Sequence, residues 1–240
     1  MTALRRTLAA LLLCASGATH AASLQISPVT IEFGPDDTAT GITLRNPGDR
    51  PVYGQVRVFR WDQTDGHDTL TPTQDLIASP PLIQVGTQGD QLIRVVRAAR
   101  AAPGTEQSYR LLIDELPQPG EAPTNGVSIR LRYSIPVFVE PAGDGAPRLD
   151  WTLLRDNGGW VLRVRNAGGR RAQLASVQLV TASGRTYPLT QGLLGYALAG
   201  RTGQWSVPLP AGVSLGGSVT VRAAVNAQPV NAVVAVEPPG

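Results

Sequence analysis

"VSIRLRYSIPVFV", Val127 to Val139, is the stretch whose reading decides the fold class. Taken with a period of two, Val127, Ile129, Leu131, Tyr133, Ile135, Val137 and Val139 fall on one face, and Ser128, Arg130, Arg132, Ser134 and Pro136 on the other. That alternation specifies a β-strand with one apolar face. Pro136 lacks the N–H that a fully paired ladder requires, so it suits a sheet edge or a bulge. An exposed edge with alternating aliphatic residues offers another chain both backbone hydrogen bonds and side-chain anchors.

The rest of the chain repeats the theme. Runs such as "GITLRN", "VYGQVRVFRW", "DQLIRVVR", "YRLLIDEL", "WVLRVRN" and "SVTVRAAV" alternate with Gly, Pro, Asn and Asp punctuation, and no amphipathic helix is evident. This spacing reads as all-β sandwich architecture. A weak internal repeat adds to it: Arg45, Asn46, Gly48 and Arg50 match Arg165, Asn166, Gly168 and Arg170 at constant offset. Both copies have the form strand, Asn-x-Gly, strand, and predict hairpins. Two similar sandwiches in series follow, residues 22–142 and 143–240, divided near "EPAGDGAPRLD", where Pro and Gly density peaks. The Pro- and Gly-rich loop Leu116 to Gly126 leads directly into the opening strand.

Residues 1–21 read as a secretory signal peptide: Arg5 and Arg6, an apolar run from Leu8 to Ala18, and small residues before a cleavage point after Ala21. The run is too short to span a bilayer and no later segment is long enough, so no membrane insertion of the mature chain is expected. Its removal takes away two arginines and no acid, so the formal net charge falls from +3 to +1. A near-neutral chain has no nucleic-acid footprint. Cys14, the only cysteine, lies in the leader, which leaves an exported chain with no disulfide.

Catalytic readings fare poorly. "GVSLG", Gly212 to Gly216, matches the nucleophile pattern around Ser214, but strand-like sequence follows where a helix is needed, and His67 lies upstream of it. "WDQTDGHD", Trp61 to Asp68, gathers aspartates around His67, yet it lacks calcium-hand spacing and a zinc ligand set; Asp65-Gly66 reads as a hairpin turn. Asp114 and Glu115 are neighbours on a strand and point to opposite faces, which keeps them from sharing a substrate atom. Trp61, Trp151, Trp160 and Trp205 could form a carbohydrate platform, but their distribution over both halves of the chain reads as core and domain-edge packing. There is no phosphate-binding G-x-x-x-x-G-K, and no cofactor or metal is expected.

With interaction through strands as the remaining reading, the chain resembles the periplasmic pilus-assembly chaperones of the chaperone-usher pathway. The resemblance rests on "SLQISPVTIEF", "ITLRNPGDRPVYGQVRVFRW", "IASPPLIQVGTQGDQLIRVVR", "YRLLIDELP", "VSIRLRYSIPVFVEP", "VLRVRNAGGRRAQLASVQL" and "YALAGRTGQWSVPLP" in that order. "RYSIPVFV" is similar to the archaic, or spore-coat-like, branch. The resemblance implies two immunoglobulin-like domains in a boomerang, located in the periplasm, that lend a strand to unfolded pilus subunits and pass them to an outer-membrane usher. Val127, Ile129, Leu131 and Tyr133 would form the donor strand, flanked by Ser23 to Phe33. In the better-known branch an arginine of the first strand and a lysine of the last clamp the subunit's C-terminal carboxylate. Here Pro28 and Ser134 align at those places. Arg94, Arg130 and Arg132 are the expected replacements, since a guanidinium binds carboxylate bidentately; solvated strand-face arginines are the alternative. Two competing functions stay open. One is a pilus subunit or adhesin, against which two apparently complete sandwiches and the lack of thiols argue; the other is a secreted hydrolase or carbohydrate-binding module, for which no coherent polar constellation exists.

Overall fold

The computed structural model describes residues 24–99, 101–120, 129–156, 158–210, 213, 215 and 218–236. The expected leader, Val127, Ser214 and the later part of the Pro- and Gly-rich loop lie outside the described residues. Among those described, every helix-or-strand element is a strand. The fold is all-β, as the alternation requires, and comprises two immunoglobulin-like sandwiches.

In the first sandwich, β1 (Gln25–Ser27), β3 (Ala39–Arg45), β8 (Asp90–Arg97) and β6 (Leu76–Ser79) form one sheet in the order β1-β3-β8-β6. The facing sheet runs β2 (Ile31–Phe33), β10 (Arg132–Val139), β9 (Gln107–Leu116), β4 (Val52–Thr64), β5 (His67–Pro72), with β7 (Leu82–Val85) also paired to β4. The chain switches sheets between β1 and β2, at Pro28 to Thr30. Inward-facing residues of both sheets, Ile42, Leu44, Ile93, Val95, Leu111, Ile113, Val137 and Val139 among them, make a buried apolar core. Excluding their apolar surface from water is the main force holding the layers together.

The second sandwich contains β11 (Leu149–Asp156), β12 (Gly159–Asn166), β13 (Ala172–Thr181), β14 (Thr186–Pro188), β15 (Leu193–Ala197), β16 (Thr202–Val207), β17 (Val219–Val225) and β18 (Gln228–Val236). β18 pairs antiparallel with β17 and, at Ala235 and Val236, parallel with β11, so one strand ties its two layers.

The repeated Asn-x-Gly segments are not hairpins. β3 pairs with β1 and β8 while β4 lies in the other sheet, and β12 and β13 are likewise not partners, so both turns carry the chain across the sandwich. The asparagines are fully buried and supply what each crossing lacks. Asn46 Nδ2 donates to the carbonyls of Arg50 and Gly86 while Oδ1 accepts the Gly48 N–H; Asn166 does the same with Arg170, Ala197 and Gly168. A buried amide that satisfies backbone groups of two loops fixes the crossing. The Asp65-Gly66 turn is a hairpin as expected: Thr64 faces His67, and φ is 52° and 81° at the two turn residues.

The sandwiches, each with its own core, meet over a third, smaller apolar cluster of Trp61, Phe138, Tyr196 and Leu198, with ring centroids 5.3 to 5.9 Å apart. The Gln63 side chain acts as a strand residue toward the second domain, donating to Tyr196 O at 2.7 Å and accepting from Leu198 N at 3.0 Å. Arg171 lies 3.7 Å from the Phe138 ring centroid and pairs with Glu32 and with Glu106, at 2.6 Å from the latter. The Glu106 side chain is fully buried, and burial raises its pKa against the opposing pull of Arg171.

An acid with a raised folded-state pKa binds protons more tightly in the folded state, so its contribution to stability falls as pH rises from the ordinary carboxylate range through the raised value. Arg171→Leu leaves Glu106 buried without its counter-ion and is expected to lose about 3 kcal/mol at pH 7.5. Urea unfolding should show that loss shrink toward pH 5 and in the double variant with Glu106→Gln.

Candidate functional site

β10 is held in its sheet unevenly. Its antiparallel pairing with β9 runs from Arg132 opposite Asp114 to Val139 opposite Gln107, but its parallel pairing with β2 covers only Val137 to Val139. On the β2 side, among the described residues, no strand pairs with Arg132 to Pro136, which form an edge. The Leu131 carbonyl accepts the Glu115 N–H at 3.0 Å, and the Glu140 N–H donates to Phe33 O at 2.9 Å. Odd-numbered residues therefore turn their backbone groups to β9, and even-numbered ones to the β2 side. Arg132 and Ser134 present theirs to the open edge, and Pro136 sits where a missing N–H breaks no bond to β9.

Side chains of the odd row change environment along the strand. Ile135, Val137 and Val139 are at most 4% exposed and belong to the core; Tyr133 is half-buried, Leu131 is 39% exposed and Ile129 is 80% exposed. The apolar row thus leaves the core and enters solvent without changing its chemistry.

Tyr133 is fastened rather than free. Its hydroxyl accepts from Leu24 N at 2.9 Å and donates to Glu115 Oε1 at 3.1 Å. Burial pushes its phenol up to about 12, so the donor proton stays in place at neutral pH. The other Glu115 oxygen accepts the Leu131 N–H at 3.2 Å. Asp114, on the opposite face, takes Arg57 at 2.6 Å and also Arg132. Burial alone would raise the Asp114 pKa, but the two guanidinium groups outweigh it and hold the carboxyl below its usual range. The adjacent carboxylates are therefore split across the strand, each spent on holding the start of β10.

The three arginines singled out in the sequence do not converge. Arg132 is ion-paired with Asp114, and Arg130 borders a small recess of about 140 Å³ with Ile129 and Tyr53. Arg94 stands between Gly41 and Ser79 on the outward face of the β1-β3-β8-β6 sheet, while its neighbours Ile93 and Val95 fill the core. A carboxylate held by Arg94 would be separated from the β10 row by the thickness of the sandwich.

A different cation occupies the cleft between the domains. This cleft, about 450 Å³, is bounded by the outer face of β10 and β9 at Ser134, Pro136 and Arg110, and by Tyr196 and Trp205 of the second domain. Val29, next to Pro28, also lines it, so the neighbourhood where the resemblance expects a basic pair does border the cleft. Arg110 lies opposite Pro136 in the ladder, its guanidinium 3.7 Å from the Trp61 ring centroid and 5.8 Å from that of Tyr196. Arg57, Arg60, Arg132, Arg171 and Arg201 all have carboxylate partners; among the described residues no carboxylate ion-pairs with Arg110. Burial draws its pKa below the usual arginine value, opposed by Asp68 and Tyr196, and an arginine so placed stays cationic. A half-buried cation seated on aromatic rings, with Asp68 of the same cleft acting on it only through space and no described carboxylate in contact, is arranged to receive an anion. No local signal in "YRLLIDEL" marks Arg110; the register of β9 and the docking of the second domain put it there.

The other constellations resolve into structure. Trp61 is part of the interdomain cluster, Trp151 is core, and Trp160 and Trp205 pack against the second core. Among the described residues no three His, Cys, Asp or Glu side chains gather as a metal site around His67 or elsewhere. The first described element after Ser214 is the strand β17, from Val219, where a nucleophile elbow needs a helix.

A family model for pili and flagellar-assembly chaperones, covering their N-terminal domain of the PapD type, matches residues 23–144. Among solved structures, the chain is similar to one in the CsuC-CsuE chaperone and tip-adhesion-subunit pre-assembly complex from the archaic chaperone-usher Csu pili of Acinetobacter baumannii. The two are 24% identical with TM-score 0.72, covering 90% of this chain and 100% of that one. It is also similar to a chain in the complex of Salmonella enterica SafA pilin with the SafB chaperone, at 18% identity, TM-score 0.61, and 90% and 98% coverage. The Pseudomonas aeruginosa CupB2 chaperone is 17% identical with TM-score 0.57, at 89% and 100% coverage. At these identities the structural likeness is one of fold. No curated protein sequence matches significantly.

The split of the apolar row has a direct consequence for stability. Ile129→Ser should change the unfolding free energy by less than about 0.5 kcal/mol, whereas Ile135→Ser in the same row should cost about 3 kcal/mol. Equal costs in urea titrations would show that Ile129 packs against the free protein.

Proposed function

Since the chain belongs to the pili and flagellar-assembly chaperone family, we propose that it acts in the periplasm, capping unfolded pilus subunits by donor-strand complementation and delivering them to an outer-membrane usher. Members of this family assist assembly and are not enzymes. The observation that carries the reading is the apolar row of β10, buried at Ile135, Val137 and Val139 and exposed at Leu131 and Ile129 beside an open edge. A subunit lacking one strand would add its own backbone to that edge and take the projecting aliphatic side chains into its groove. Ile129 and Leu131 are the core of the loan, continued by Val127; Tyr133 marks the point where the strand is tied into residues 22–142. Residues 143–240 supply the far wall of the cleft.

Strand donation alone is thermodynamically thin. Burying two or three aliphatic side chains gains about 3 to 9 kcal/mol gross, against roughly 4 to 15 kcal/mol for association. Backbone bonds and a desolvated anchor make up the difference. Arg110 is the anchor for the subunit's C-terminal carboxylate in this reading, in place of Arg94, and Arg132 serves to hold β10 through Asp114. Release needs no nucleotide: the extension of the next subunit exchanges with the lent strand.

Ile129→Asp is expected to abolish recovery of a co-expressed subunit from periplasm while leaving the free protein folded, because an ionised carboxylate cannot enter an apolar groove. Arg110→Gln should reduce recovery at least about tenfold, the scale of one charge-assisted contact, and Arg94→Gln should leave it unchanged. Unaltered recovery with Ile129→Asp would sink strand donation; unaltered recovery with Arg110→Gln alone would move only the anchor.

A further inference from the structure

The second domain's wall of the cleft has a feature that carboxylate capture does not use. The Trp205 indole rests on two glycines: a Cβ at Gly203 would fall 2.3 Å from the ring, and one at Gly195 would fall 2.8 Å from it. Gly195 also has φ +155°, in the region that glycine tolerates. The missing side chains let the indole lie against the β15 and β16 backbones, part of it packed on the second domain's core and part lining the cleft. Leu194 and Leu193, the latter 53% exposed, adjoin it, and Val29, 73% exposed, lines the same cleft from the first domain. Large apolar side chains therefore converge in one cavity with a cation that no described carboxylate contacts, Asp68 of the same lining acting on it only through space, and a single ligand satisfies both if it carries an anion and an apolar group close together. A chain terminus does so, because its carboxylate and its last side chain share one Cα; an internal segment brings a carboxylate only on an Asp or Glu side chain, with no apolar group on the same Cα, and a small inorganic anion leaves the apolar wall wet.

We propose that Trp205, with Leu193 and Leu194, is the specificity shelf of the cleft: it receives the last side chain of a subunit polypeptide whose carboxylate is held at Arg110, and selects aromatic or large aliphatic ends. The inference rests on the reading that the cleft takes a chain terminus at Arg110. A cleft of about 450 Å³ lies within the roughly 300 to 1,000 Å³ range of ligand sites and suits one terminal residue with its neighbour.

The test uses the full chain and N-acetylated pentapeptides alike except at the end: phenylalanine with a free carboxylate, the same as its amide, and serine with a free carboxylate. Binding is read through the Arg110 Nε–H resonance. The phenylalanine acid should bind roughly tenfold tighter than the serine acid, the scale set by transferring one ring partly out of water. In Trp205→Ala the two acids should come within about twofold of each other, with the preference for acid over amide retained. Leu193→Ser, at an exposed position, should lower the same ratio and serves if Trp205→Ala does not fold. Equal affinity for the two acids in the native protein, with acid still preferred over amide, would overturn the shelf and leave the anchor standing. Equal affinity for acid and amide would overturn the anchor and the shelf with it, and so would failure of the phenylalanine acid to bind at millimolar concentration.

Discussion

The antiparallel pairing of β10 with β9 is the interaction on which the rest depends. It fixes which residues of β10 face inward, and a slip by one position would turn Arg132 and Ser134 into the core and Ile135 and Val137 out of it. Because parity is preserved along a strand, the same register that fills the core with Ile135, Val137 and Val139 projects Leu131 and Ile129 beyond it. The fastenings at the start of β10, Tyr133 with Glu115 and Arg132 with Asp114, which Arg57 also pairs, keep the projecting end aimed along the sheet. Polar contacts there hold a strand that the core no longer holds.

The second constraint is the joint between the domains. Trp61, Phe138 and Tyr196 would be exposed on separate sandwiches, and they are covered only when the sandwiches meet. Gln63 and Arg171 add directional bonds to that apolar contact, so the relative placement of the two walls is specified and not merely favoured. The cleft is a product of this joint: Arg110 lies on one side of the Trp61 ring, and the Trp205 shelf belongs to the other domain.

Much of the fold was legible in the sequence because a period of two is a local property. The strand of Val127 to Val139, the Asp65-Gly66 hairpin and the opposite facing of Asp114 and Glu115 all follow from neighbours in the chain. What was not legible depended on which strands pair. The Asn46 and Asn166 turns have hairpin composition, yet their flanking strands belong to different layers, and the buried amides that permit the crossing look the same in sequence as turn asparagines. Arg94, Arg130 and Arg132 were natural choices for an anchor by charge and position. Only the tertiary register separates Arg94, on an outward face, from Arg110, which no motif distinguishes and which the second domain encloses.

Strand donation requires that the exposed end of the β10 row become a paired strand when a subunit is bound. Amide hydrogen exchange at Ile129 to Ser134, compared between the free chain and the chain in complex with a subunit, measures this residue by residue. Protection at Arg132 and Ser134, whose N–H groups face the open edge, should rise at least about a hundredfold on binding, the mark of new ladder bonds, while Val137 and Val139 change little. Unchanged exchange at Arg132 and Ser134 in a stable complex would contradict it.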